Sequence, residues 1–121
     1  MAIPTGSGTE VLKRSIIDGL GTSEQTLITG VANHIYTIIS ILVAQKNSSA
    51  TTFTLYVDPS AGGTDMHILN AHSLPGNSHF VWNDKFVLTA TDSSNRQVLR
   101  ALSESAGDFD YHTSYIVQDW T

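Results

Sequence analysis

Apolar and polar residues alternate with a period of two through nearly the whole sequence. Clusters of Gly, Pro, Asn, Asp and Ser interrupt the alternation about every 8–12 residues. A strand turns its side chains to opposite faces at successive positions, whereas an amphipathic helix returns apolar residues every three or four. No segment holds the helical period clearly. A chain patterned this way buries its apolar halves by stacking two antiparallel sheets or by closing one. Parallel α/β folds, which need crossover helices, are not expected. The fold class expected is all-β: an antiparallel sandwich of about eight strands, jelly-roll-like, of the kind such spacing marks.

The segment His34 to Gln45 is the longest apolar run. Ile35, Thr37, Ile39, Ile41 and Val43 lie on one side, and Tyr36, Ile38, Ser40, Leu42 and Ala44 on the other. Branching at Cβ suits the pleat and restricts rotamers in a helix, so the segment reads as a strand. Apolar side chains on both sides mark a central strand covered on both faces. Thr51 to Val57 alternates more cleanly, with Phe53, Leu55 and Val57 inward and Thr52, Thr54 and Tyr56 outward. A shorter strand is expected from Asp65 to Leu69, then a type II turn at Pro75-Gly76. Further strands are read at His79–Trp82, from Phe86, at Gln97–Ser103 and from Asp108 to Trp120; Gln97–Ser103 also fits a helical turn. The expected core is Ile39, Ile41, Val43, Phe53, Leu55, Val57, Phe86, Leu88, Phe109 and Tyr111. Pro4, Gly6 and Gly8 break regular structure near the start. The expected organisation is therefore an extended arm over residues 1–10 and one sandwich domain over 11–121.

Composition narrows function by exclusion. The 121 residues contain no cysteine, which removes disulfides, thiol catalysis and Cys-ligated metals. A net charge of −5 argues against a nucleic-acid partner, which selects a basic face. Charged residues are 14% of the chain against about 25% in ordinary soluble domains, so the surface is unusually neutral. The most apolar stretch, Ile35 to Ala44, is half the roughly 20 residues a membrane helix needs. The opening has no basic segment followed by an apolar run, so synthesis in a cytoplasm without a leader is expected, and no membrane partner.

The residues that invite chemistry do not form a recognisable site. Asp65 and His67 share a strand face, with His72 and His79 following, but zinc needs three or four convergent ligands and nothing in the spacing makes these converge. Asp108, Asp110 and His112 also share a face and read more simply as a solvated strand surface than as a calcium site. There is no Gly-x-Ser-x-Gly elbow, and Gly6-Ser7-Gly8-Thr9 lacks the spacing and lysine of a phosphate loop. No catalytic residue, metal or cofactor is expected. The large aromatics Tyr56, Trp82, Tyr115 and Trp120 are candidates for an oligomer interface or for stacking on sugars.

Two stretches carry a family resemblance. The opening Met1-Ala2-Ile3-Pro4-Thr5-Gly6-Ser7-Gly8-Thr9-Glu10-Val11-Leu12-Lys13-Arg14 resembles the starts of small structural proteins of marine and cyanobacterial phages. The run from Thr26-Leu27-Ile28-Thr29 to Thr51-Thr52-Phe53-Thr54-Leu55-Tyr56-Val57, followed by Leu74-Pro75-Gly76 and Phe86-Val87-Leu88, resembles a phage β-sandwich pattern. The resemblance is to small β-sandwich virion proteins of tailed bacteriophages, of the capsid decoration or cement type. It implies a non-enzymatic role, a location on the virion capsid surface, and the major capsid protein or other virion proteins as partners. It also implies a homo-oligomer, dimer or trimer. A tail, neck or fibre component and a carbohydrate-binding attachment module are the alternatives. The expected partner contact is residues 1–14, with Ile3, Pro4, Thr5, Val11 and Leu12 as its contact residues.

Overall fold

The structure is a computed structural model that describes residues 9–19, 21–59, 64–90, 96–105 and 107–119. Among these residues nine strands form: β1 (Thr9–Ile17), β2 (Gln25–Thr29), β3 (His34–Gln45), β4 (Thr51–Asp58), β5 (Met66–Leu74), β6 (His79–Trp82), β7 (Phe86–Thr89), β8 (Val98–Ser103) and β9 (Phe109–Asp119). The first sheet runs β1-β9-β3, and β3 then pairs on its far side with β7 along Ile35–Ile38 and with β6 along Ile41–Ala44. The second sheet runs β2-β8-β4-β5, and every pairing in both sheets is antiparallel. With β6 and β7 acting as two halves of one strand, first pairs with last, second with second-last, and so on inward. That nesting is the strand order of a jelly roll.

The core lies between the sheets. Phe53 of β4 sits at its centre, with ring centroids 5.3 Å from Phe109, 6.0 Å from Tyr111 and 6.1 Å from Phe80. Ile41, Val43, Leu55, Val57, Leu88, Phe109 and Tyr111 are buried as expected, and Phe86 packs half-buried against them. Ile39 is the exception. A register shift between Ile38 and Ser40 in the β3–β9 pairing inserts an extra residue. Before it, Tyr36 and Ile38 point inward; after it, Ile41, Val43 and Gln45 do. Ile39 falls at the change of parity and stays half-exposed on the outer side.

β5 runs on through Ala71, which takes a positive φ of 49°, to Leu74 rather than ending at Leu69. The Pro75-Gly76 turn is not type II, because the positive φ, 54°, falls on Asn77. Gly76 is needed for close approach instead: a Cβ there would lie 2.1 Å from the Ser48 carbonyl oxygen. The β3–β4 and β5–β6 loops dock at this point, and Asn77 N–H donates to the Asn47 carbonyl at 2.9 Å. Buried Gln45 completes the junction. Its amide donates to the Leu74 carbonyl and, at 3.0 Å, to that of Pro75, and its oxygen accepts from the Thr51 hydroxyl. Val98–Ser103, which also fitted a helical turn, is a strand, because both of its edges find partners in β2 and β4.

Candidate assembly surface

The outer face of the first sheet is apolar and open. Leu12 is 71% exposed, Ile16 55% and Val87 50%, with Leu42 and Val81 also exposed. The strand registers arrange them in two rows across the sheet. One row is Leu12–Ile116–Thr37–Val87, the other Ile16–His112–Leu42–Val81. Between them Arg14, Ser114 and Ser40 form a polar waist. A shallow trough of about 680 Å³ follows the waist, with Ile39 and His112 in its wall. The sequence pattern of β3 implied cover on both faces, yet no element among the described residues covers this one.

β1 is the edge of this sheet. It pairs with β9 without a bulge from Thr9 to Ile17, and its other side pairs with no strand among the described residues. Such an edge presents a row of free backbone N–H and C=O groups. Lys13 points to the inner side of the sheet at this edge, a charge that disfavours indiscriminate pairing. β1 begins at Thr9, so the strand reaches two residues into the expected arm. Val11 and Leu12 are both exposed on it, while Ile3, Pro4 and Thr5 lie outside the described residues.

Where β1 and β2 part, a cleft of about 290 Å³ opens between the sheets, walled by Val11, Ile28, Val31, Tyr36, Tyr115 and Val117. His34 Nδ1 donates to the Ala32 carbonyl at 2.8 Å, and Nε2 lies 3.6 Å from the Asp119 carboxylate. Both ring nitrogens are thereby engaged in tying the start of β3 to the end of β9. Tyr36 Oη accepts from the Val31 N–H at 3.1 Å, and burial pushes the ionisation of Tyr36 and of Tyr115 upward.

The structure scatters the residues that invited chemistry. His67 stacks on Tyr56 at 5.5 Å on the outside of the second sheet, whereas His72 turns inward against Phe53 and Phe80 at 5.5 and 5.1 Å. Asp65 and His79 are exposed. Asp108 accepts from the Asn47 amide at 3.1 Å. Asp110 lies 2.9 Å from Lys46 Nζ and accepts from the Gly19 N–H at 2.8 Å. Among the described residues no group of three His, Asp or Glu side chains could hold a metal ion.

The aromatics are less available than their composition implied. Tyr56 does face the outer side of the second sheet, but it is only 2% exposed, covered by His67 and flanked across the strands by Arg100. Burial first, and the Glu24 carboxylate second, push its ionisation up. Trp82 is half-buried against the core with its indole nitrogen enclosed, and Tyr115 packs 6.2 Å from Tyr36. Trp120 lies outside the described residues. Leu12 is one of the expected contact residues, whereas Ile16, Leu42, Val81 and Val87, exposed on the same face, were not expected to form a surface. Their alternation with core residues was visible, but which side of the sheet would be left bare was not.

Fold and surface together define an antiparallel jelly-roll module whose conspicuous feature is an uncovered apolar sheet. No family model matches the sequence, and no curated protein matches it. Among solved structures, the chain is similar to one from Bacillus endospore appendages, which form a family of disulfide-linked pili. The identity is 14% over 100% of this chain and 97% of that one, with a TM-score of 0.55. It is also similar to part of a chain of infectious bursal disease virus, Gx strain, at 14% identity and a TM-score of 0.47. That match covers 98% of this chain and 32% of the viral one. The pilus likeness shows a shared sandwich fold.

Proposed function

We propose that the chain is a non-enzymatic structural subunit that attaches to a virion capsid as a decoration protein. The observation that carries this reading is the edge strand β1. Residues 1–8 precede it in the sequence, its outer side pairs with no strand among the described residues, and Val11 and Leu12 stand exposed along it. An open edge strand suits main-chain pairing with a partner sheet, where hydrogen bonds give affinity and alternate side chains give specificity. Repetition over a lattice multiplies weak contacts. Ile3, Pro4, Thr5 and Val11 supply the side-chain anchors on the capsid protein, and Leu12 lies beside them on the outer face of the sheet.

Quantitative mass spectrometry of purified particles tests the reading. Hundreds of copies per virion, measured against the major capsid protein, are expected, and absence from the particle overturns it. Deleting residues 2–8 should abolish association while leaving the circular dichroism of the sandwich unchanged. Undiminished association moves the contact elsewhere.

A fibre, tail or neck subunit is the second reading, favoured by the sandwich shared with the pilus chain. With no cysteine, such a fibre could not be disulfide-linked. A copy number of about three to eighteen, the count of a symmetric ring or spike, would select it.

A further inference from the structure

We propose that the outer face of the first sheet is closed by the same face of a second copy of this chain, sheet against sheet. Sequence and exposure disagree on this face. β3 carries apolar residues on both sides, as a doubly covered strand does, yet Leu42 on its outer side is 39% exposed. Leu12, Ile16, Leu42, Val81 and Val87 together expose on the order of 500 Å² of side chain, near the top of the roughly 300–600 Å² carried by the largest patch on a monomer.

The pattern of the face selects the occupant. A two-fold contact joins one patch to itself, so the patch must be self-complementary. Two mainly aliphatic rows, with Thr37 in one and His112 in the other, placed symmetrically about a waist meet that condition. Turning a second sheet over, along the strands or across them, sets apolar rows on apolar rows and waist on waist. Leu, Ile and Val side chains interdigitate between sheets about 10 Å apart, the ordinary spacing of a sandwich.

Charge agrees. Burying an unpaired carboxylate is costly. Among the described residues near this face, Asp110 is held by Lys46, and Glu10 accepts from the Gln118 amide at 2.8 Å. Arg14 sits on the edge strand, from which its long side chain reaches solvent at the rim. With the polar waist and rim added, the contact approaches the roughly 800 Å² per partner of a standard interface.

The test is sedimentation velocity and light scattering on the full chain from about 1 to 100 μM. The expected species has twice the 13.1 kDa chain mass. Leu42→Glu with Val81→Glu, facing each other on β3 and β6, should weaken association about 100-fold or more by placing carboxylates in the contact. Leu42→Met with Val81→Ile should preserve it. Circular dichroism of the Glu variant should match the wild type, because both positions are exposed. A wild-type chain that stays monomeric at 100 μM overturns the proposal. So does an oligomer indifferent to the Glu substitutions, whose contact would lie elsewhere. Neither residue is on β1, so a Glu variant that loses self-association but keeps capsid attachment is the expected result, and a wild-type chain that attaches to capsids yet stays monomeric would sink this inference alone.

Discussion

At the scale of single residues, the core contains two hydroxyls that the fold leaves unanswered. Tyr111 and Thr113 occupy successive inward positions on β9, and both are essentially inaccessible. Neither hydroxyl has a hydrogen-bond partner among the described residues. Burial pushes the ionisation of Tyr111 far upward, so it stays neutral at any ordinary pH. A buried hydroxyl without a partner forfeits its hydration for nothing, at a cost of about 1–3 kcal/mol. Replacing it with an apolar group of the same shape removes that cost. Thr113→Val is therefore expected to raise the unfolding free energy by about 1 kcal/mol, measured by urea denaturation, with the m-value unchanged. A loss of stability would show that the Thr113 hydroxyl is satisfied in solution. Gln45 behaves oppositely: it is equally polar and buried, but its amide and oxygen meet the Leu74 and Pro75 carbonyls and the Thr51 hydroxyl.

At the scale of elements, Lys46 fastens three segments. Its ammonium lies 3.0 Å from Asp18, just after β1, and 2.9 Å from Asp110 on β9, while its own backbone begins the β3–β4 loop. Burial raises the Asp110 pKa, but hydrogen bonds from Lys46 and the Gly19 amide outweigh this and hold it below 3.8. A depressed carboxylate contributes stability that is present above its ordinary pKa and lost as pH falls through the folded value. The hydrogen bond to Asp110 first, and that to Asp18 second, raise the Lys46 pKa, so the same clip also weakens at strongly alkaline pH. Asp110→Asn is expected to lower the melting temperature slightly at neutral pH and to flatten its fall at acid pH by the same small amount, since the cluster is largely open to solvent. An acid limb identical to that of the wild type would show that the clip contributes nothing. The elements themselves were largely legible: His34–Gln45 and the inward set of β9 follow from period two alone. What the pattern could not show was a change of parity. Ile38, Ile39 and Ile41 are chemically alike, so either register buries isoleucine, and only pairing with β9 decides which. Nor could it show cover from afar. Tyr56 alternates like an outward residue, and its burial depends on His67 of the next strand and on Arg100 of β8, distant in sequence. In the single chain Tyr56 is buried and Trp82 and Tyr115 are half-buried, whereas Val11 and Leu12 are exposed on β1.

At the scale of the whole molecule, the two outer faces differ in kind. The second sheet covers Tyr56 with His67 and surrounds it with Arg100, Glu24 and Asp58, while the first leaves its aliphatic rows bare. The sheets share one core, because Phe53 of the second packs on Phe109 and Tyr111 of the first. Neither sheet can therefore melt while the other survives, and one cooperative transition is expected. Its enthalpy for 121 residues should be about 85 kcal/mol near 60 °C. If the bare sheet is closed by a second copy, unfolding also dissociates the pair, and the native side of the equilibrium gains from mass action. With twice that enthalpy per pair, the melting temperature should rise by about 3 °C for each tenfold increase in chain concentration. Calorimetry between about 5 and 500 μM reads this directly, with an expected span of about 6 °C for the wild type. Leu42→Glu with Val81→Glu should unfold in one transition of similar enthalpy per chain at a temperature independent of concentration. The two traces separate the interior from the surface: the shared core sets the cooperativity, which both proteins keep, and the outer rows set the concentration dependence, which only the wild type shows. A melting temperature flat across that range in the wild type would mean that the single chain is the folding unit and that its apolar face is reserved for a different protein.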